Sequence, residues 1–297
     1  MIITNDLNLP QVFVDAVSSN YRYQPKRYSA TSLLKGLKEV ILVRRHDHEI
    51  TTDASKLIWA VFGTAIHDFL EKRQELDTEL KEEKIVVPVG DYTLSGKFDL
   101  YNAEQKMVTD YKTTSAWTII HKSFDDWIRQ GLIYAVMLEH IGFDVNKFQV
   151  IAMLKDHKES EKLRNSDYPV SPVSNLIFDI TDEDKKITWE WIQDRFKLIA
   201  EYESLPDDNI PCCEPDERWS NGNTYAVMKE GRRSALRVLE SDSLAWDWIK
   251  DNVKEGDLSN VTVVERPGLD RKCTGYCFAN TFCDYWRSTY GKNKESM

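Results

Sequence analysis

The segment Met107–Thr113 constrains this chain more than any other. Its apolar flank (Met107, Val108, Tyr111) reads as a strand lying largely inside a fold, yet the segment carries Asp110 and Lys112. Side chains alternate along a strand, so Asp110 and Lys112 share one face with Val108. Burying a carboxylate and an ammonium is costly unless both are compensated, and function is the usual reason for tolerating that cost. Tyr92–Tyr101 reads as a preceding strand with Asp99 inside it, joined through the polar turn Ala103-Glu104-Gln105-Lys106. An acidic residue two before a lysine occurs eight times in the 297 residues, so the triplet alone says little. Only Asp110-Tyr111-Lys112 lies in an apolar strand that directly follows another strand bearing an internal Asp.

The elements around this hairpin read as a mixed α/β fold. Residues 1–28 form an N-terminal arm. Ser29–Ser32 caps a helix carrying Leu33, Leu34, Leu37, Val40 and Ile41; its Lys35, Lys38, Arg44 and Arg45 make a locally basic face, either solvated or in contact with phosphate. His46 and His48 lack a third ligand at suitable spacing and read as a surface loop. Trp59–Arg73 is an amphipathic helix whose apolar stripe holds Phe62, Ile66, Phe69 and Leu70, with Gly63 and then His67 beside it. Its continuation, Glu71–Lys84, reads as a solvated charged tail. Ile85–Val89 is a strand, Phe124–Gly142 a helix with Gln130 and Tyr134 on one face, and Phe148–Leu154 a buried strand. Lys155 opens a polar loop, and Asp182–Tyr202 is a packing helix. This order predicts a central mixed sheet flanked by helices, residues 29–204. A Pro/Asp/Asn-rich break at Leu205–Pro215 opens a C-terminal extension, 205–297, with strands at Tyr225–Lys229, Ala235–Leu239 and Val261–Glu265 and a helix at Ser243–Asn252.

Composition narrows the functional classes. A hydrophobic content of 41% supports a sizeable core, and a net charge of −10 argues against coating nucleic acid through a global basic field. A local basic groove remains compatible with that total. The longest apolar run, Leu57–Ile66, falls short of the roughly 20 residues of a membrane span. With no basic-then-apolar leader at the N-terminus, the expected location is the cytoplasm.

The hairpin suits phosphodiester hydrolysis. That reaction needs a water made nucleophilic near neutral pH and a highly anionic transition state neutralised, which divalent cations on hard carboxylate oxygens provide. A neighbouring lysine can orient the water and offset developing charge. Asp99 and Asp110 would be the carboxylates and Lys112 the cation; the plain alternative is a buried Asp–Lys ion pair.

These residues resemble the PD-(D/E)XK nuclease superfamily, in its RecB-type branch. That branch has a helical His, an Asp after Gly-x-x, an acidic-x-Lys strand and a following Gln-x-x-x-Tyr. Here they stand in order as Gly63-x-x-x-His67, Gly96-Lys97-Phe98-Asp99, Asp110-Tyr111-Lys112 and Gln130-x-x-x-Tyr134, over roughly Ser32–Leu154. Phe98 replaces the proline of the superfamily name. The resemblance implies a restriction-endonuclease-like core and a DNA nuclease, an exonuclease of recombination, repair or phage DNA processing in a bacterial or phage-infected cytoplasm. It implies Mg²⁺ or Mn²⁺ on His67, Asp99, Asp110 and the Tyr111 carbonyl, with Lys112 catalytic. Gln130 and Tyr134 would contact the DNA strand or position the site. A helicase, recombinase or single-strand-binding protein would be the protein partner.

The five cysteines all fall in the extension. Cys273, Cys277 and Cys283 form a tight group among aromatic residues, and Cys212-Cys213 offers a fourth ligand. Four thiolates suit Zn²⁺ or an iron–sulfur cluster, and spacing alone leans to zinc. The resemblance implies instead a 4Fe–4S cluster closed by C-terminal cysteines, as in RecB-type nucleases of CRISPR adaptation. Related phage-type nucleases have Pro-Cys followed by acidic residues and Arg-Trp, which matches Cys213 ahead of Glu214–Trp219 and favours Cys213 over Cys212. The alternative function is an idle nucleic-acid-binding module stabilised by zinc.

Overall fold

The computed structural model describes residues 1–18, 23–74 and 76–291, in two compact units, Met1–Leu205 and Pro206–Met297. Residues 19–22 of the expected arm, 75 of the expected tail and 292–297 of the extension lie outside the described residues. The first unit runs β1 (Ile2–Thr4), α1 (Gln11–Val17), β2 (Arg27–Ser29), α2 (Ala30–Leu33), α3 (Leu37–Arg45), β3 (Thr51–Asp53), α4 (Ile58–Glu71) and β4 (Glu79–Lys81). It continues through β5 (Lys84–Val89), β6 (Tyr92–Lys97), β7 (Leu100–Asn102), β8 (Met107–Thr114), α5 (Ala116–Ile120) and α6 (Asp125–Glu139). It closes with β9 (Lys147–Leu154), α7 (Glu159–Lys162), β10 (Val173–Asp179) and α8 (Asp182–Tyr202). The second unit has β11 (Thr224–Lys229), β12 (Arg237–Leu239), α9 (Asp242–Asn252), β13 (Val261–Arg266), α10 (Arg271–Gly275) and α11 (Asp284–Thr289).

The central sheet has the order β10-β9-β8-β7-β4 and is mixed. Only β8 and β9 are parallel, joined by α6 as the crossover helix, and the other pairs are antiparallel. A second sheet, β2-β6-β5, lies beside it. Helix α6 is buried nearly all round in its second half, from Ile133 to Leu138, because it packs on β5, β8, β9 and α8 together. Gly131 permits the closest approach: a Cβ there would meet Phe148 Cγ at 2.3 Å. Helix α8 opens on a capping box in which Thr181 and Asp184 exchange hydrogen bonds. The expected mixed sheet with flanking helices is therefore the observed architecture.

Several elements differ from expectation. The single strand Tyr92–Tyr101 is broken at Phe98–Asp99, so that β6 pairs in the smaller sheet while β7 joins β8. Phe98 turns into the core, and the Tyr111 N–H donates to the Asp99 carboxylate at 2.6 Å, which together draw the backbone off the first ladder. The helix after Ser29 is split by Gly36, whose extended ψ of 135° starts α3 afresh. Lys38 is buried, and Arg44 donates to the carbonyls of Gln24 and Arg27 while stacking over Tyr28, so neither belongs to a solvated basic face. The expected charged tail contains β4, an edge strand on β7. Strand β10 was not expected, because an edge strand with only half-buried inward residues carries a weak alternation signal. Helix α4 has no buried residue at all, so its apolar stripe is not a core face.

The second unit is built on an antiparallel sheet β12-β11-β13 with α9 packed against it through Val227, Ala245, Ile249 and Val261. Its elements match the expected strands and helix to within a few residues.

Candidate metal and phosphodiester site

The chain break that separates β6 from β7 leaves Asp99 on a bend facing the middle of β8. Asp99 is fixed from two sides. Its Oδ2 accepts from the Tyr111 N–H, and its Oδ1 lies 3.0 Å from His67 Nδ1 on α4. Its backbone carbonyl accepts from the Glu82 N–H at 3.1 Å. Hydrogen bonding to Asp99 raises the His67 pKa above its ordinary value, against the opposing pull of burial. Tyr111 also presents its ring to His67, edge to face at 6.2 Å.

Asp110 is only 3% exposed. Its Oδ1 accepts from Gln130 Nε2 at 3.2 Å, and its Oδ2 lies 2.7 Å from the Lys112 ammonium. That second contact falls outside hydrogen-bonding angles, so a buried carboxylate oxygen keeps unfilled acceptor capacity. Burial pushes the Asp110 pKa up to about 6; Lys112 opposes the shift and Asp99 adds to it. Lys112 in turn donates to Gln130 Oε1 at 2.9 Å. One amide thus holds both members of the acidic-x-Lys pair, donating to the acid and accepting from the base. Tyr134, one helical turn on, accepts from Gln130 Nε2 at 3.1 Å and fixes which way the amide points. Gln130 and Tyr134 are 7% and 4% exposed. Gln130 bridges the charged pair and Tyr134 orients it. Gly96 makes room for Tyr134: a Cβ on it would meet the ring at 2.9 Å.

Glu82 was missed in the sequence. Its side chain is 8% exposed, its Oε1 lies 3.6 Å from His67 Nδ1, and its Oε2 is 2.5 Å from Lys97 Nζ. The residue adopts φ +53, a left-handed conformation disfavoured for a glutamate, in the turn that joins β4 to β5. Read as part of a solvated charged run, it gave no signal; the apolar alternation beginning at Ile85, immediately after it, was the available clue. Among the described residues, His67, Glu82 and Asp99 form the group whose ligand atoms lie within 4.8 Å of one another. Hard oxygens with one imidazole suit Mg²⁺ or Mn²⁺. The unfilled oxygen of Asp110 beyond Asp99 fits the same chemistry, so the residues present are compatible with a divalent cation.

In the second unit, burial pushes the Cys273 thiol up to about 12, with the charges of Asp270, Cys213 and Cys283 adding to the effect; Cys213 and Cys283 are thus its neighbours. Arg218 donates to Cys212 Sγ at 3.5 Å and to the Cys213 carbonyl. Buried Asp270 accepts from Tyr285 and Tyr290 at 2.6 and 3.0 Å and pairs with Arg218 at 3.4 Å, which ties the Cys212-Cys213 segment to the tail. Among the described residues, no three cysteine sulfurs lie within 4.8 Å of one another.

No helix among the described residues is long and apolar enough to cross a membrane. No family model matches the chain, and no curated protein does. Solved structures similar to it include SSO0001, at 14% identity over 63% of this chain and 85% of that one, with a TM-score of 0.44. LHK-Exo, in its complex with dAMP, is similar at 10% identity over 59% and 92%, with a TM-score of 0.34. A phage-related exonuclease from Haemophilus somnus is similar at 13% identity over 61% and 97%, with a TM-score of 0.29. These likenesses concern the fold alone, and the chemistry is read from the side chains described above.

Proposed function

We propose that this protein is a divalent-metal-dependent DNA nuclease, an exonuclease acting at DNA ends. The observation that carries the reading is the buried Asp110–Gln130–Lys112 relay set against the His67–Asp99 pair. A buried ion pair that served only stability would gain nothing from a second carboxylate and an imidazole gathered beside it, since each adds a desolvation cost.

Asp99, Asp110, His67 and the Tyr111 carbonyl would hold the cation, with Glu82 adjoining. When bound, a divalent ion lowers the pKa of a coordinated water and neutralises charge on the phosphate. Lys112 stands at the edge of this group, half-buried, where its ammonium can orient the attacking water and meet the negative charge that builds on the scissile phosphate. Gln130, oriented by Tyr134, holds both members of the Asp110–Lys112 pair in place. The cysteine tail is proposed to carry a 4Fe–4S cluster on Cys213, Cys273, Cys277 and Cys283, as a staple for the second unit.

The test is incubation of linear and circular, single- and double-stranded DNA with Mg²⁺, Mn²⁺ or EDTA. Metal-dependent release of nucleotides from linear DNA is expected. DNA left intact with both metals would overturn the reading.

A further inference from the structure

Helix α4 poses an unanswered question of packing. It is fourteen residues long and strongly apolar, yet none of its residues is buried. Trp59 is 61% exposed, and Phe62 and Phe69 are exposed with it. Water alone on such a face is unfavourable, by roughly 25 cal/mol per Å² of apolar surface.

The face has a direction. Trp59, Gly63 and His67 are four residues apart in succession, so they form one row along the helix. His67 ends the row at Asp99, within the site. Gly63, in the middle of the row, lies against β8, where a Cβ on it would stand 3.7 Å from Thr113 Oγ1. Trp59 begins the row, about 12 Å from His67 along the helix axis. Phe62 props the indole edge to face at 6.5 Å. Lys155 brings its ammonium to 4.1 Å from the indole centroid, its backbone N–H anchored on the Thr114 carbonyl at the end of β8. The neighbouring Asp156 carboxylate is turned away, accepting from the Ala116 N–H at 2.7 Å and from Ser115 at 2.5 Å.

An exposed indole with a cation over one face of its ring, on the helix that carries His67 to the site, matches the chemistry of an unpaired nucleotide: a free face for a base to stack on and a charge for its phosphate. A duplex keeps its base faces inside the stack and cannot use the indole. We infer that Trp59 and Lys155 form a stacking step that receives an unpaired strand and leads it past Gly63 to the site, so that the substrate in the groove is single-stranded. This inference rests on the nuclease reading for the strand's destination, and its own claim is the binding step.

The test is fluorescence anisotropy of the full chain with labelled oligo(dT) and with a blunt duplex, in Ca²⁺ to limit cutting. Trp59→Ala should weaken oligo(dT) binding about tenfold or more, while Trp59→Phe retains most of it and duplex affinity changes by less than about twofold. Lys155→Ala should lower the salt slope of oligo(dT) binding by about 0.7. Failure of the wild type to bind oligo(dT), or equal binding by Trp59→Ala, overturns the inference. So does a fall in oligomeric mass with Trp59→Ala at unchanged DNA affinity, which would make the face a protein interface. A strand that binds through Trp59 but is left intact in Mn²⁺ sinks the nuclease reading alone. Cutting that persists with Trp59→Ala binding unchanged sinks the stacking step alone.

Discussion

Gln130 is the residue on which the site's geometry turns, because its amide hydrogen-bonds both Asp110 and Lys112. Replacing it with Ala removes a hydrogen bond from each of two charged, part-buried groups, a loss of about 1–3 kcal/mol. Gln130→Ala is therefore expected to keep its fold, with a slightly lower denaturation midpoint, while its cleavage rate falls at least about tenfold. The pH behaviour follows from the raised pKa values. Asp110 moves from 3.8 to about 6, so between those values the folded chain holds a proton that the unfolded chain has released, and stability falls as pH rises. His67 is also raised above 6.5, and the stability from its protonated form is lost as pH rises through its folded value. A bound cation replaces both protons. Melting temperatures in Mn²⁺ and in EDTA should accordingly diverge as pH rises from about 5 to 8. A gap that narrows would contradict the assignment of these groups to the metal. Asp110 and Lys112 were legible because strand alternation is visible in a run of seven residues. Glu82 was not, because it reaches the site through a left-handed turn inside a charged run, and its triplet Glu82-Glu83-Lys84 looked like the other solvated ones.

The elements that position the site are β8 and α6, which place Asp110 and Lys112 opposite Gln130. The approach of α6 to the sheet is set by Gly131 against the Phe148 ring of β9, the strand paired with β8. Gly131→Ala would force the ring or the helix to shift, at a cost of about 1–3 kcal/mol, and should be partly rescued by Phe148→Leu; chemical denaturation of the single and double variants measures this. The long elements were readable where one periodicity ran unbroken, as in α6, α8 and β9. The break between β6 and β7 was hidden, since Phe98 and Asp99 continue an acceptable alternation and only the tertiary pull of Tyr111 ends the strand. The exposure of α4 was hidden for another reason. An amphipathic pattern states that a face is apolar, and it does not state what covers it.

At the scale of the molecule, the two units make different demands on their polar groups. The first buries the Asp110 and Asp99 carboxylates side by side, and the second holds Cys273, whose burial disfavours its thiolate. Cys283→Ser is expected to abolish the broad visible absorbance of anaerobically purified protein and to lower its melting temperature. A colourless wild type containing zinc would replace the cluster in this account without touching the first unit. The net charge of −10 gave little guidance about nucleic acid, because the groups that matter for it are local: Lys112 at the site and Lys155 beside Trp59. The central claim is that Asp110 and Lys112 carry phosphodiester hydrolysis, and the most direct measurement is the cleavage rate of an end-labelled linear DNA in Mn²⁺ by wild type, Asp110→Ala and Lys112→Ala at equal concentration. The wild type is expected to cut and each variant to lose about a hundredfold or more; variants that cut as fast as the wild type would contradict the assignment of Asp110 and Lys112.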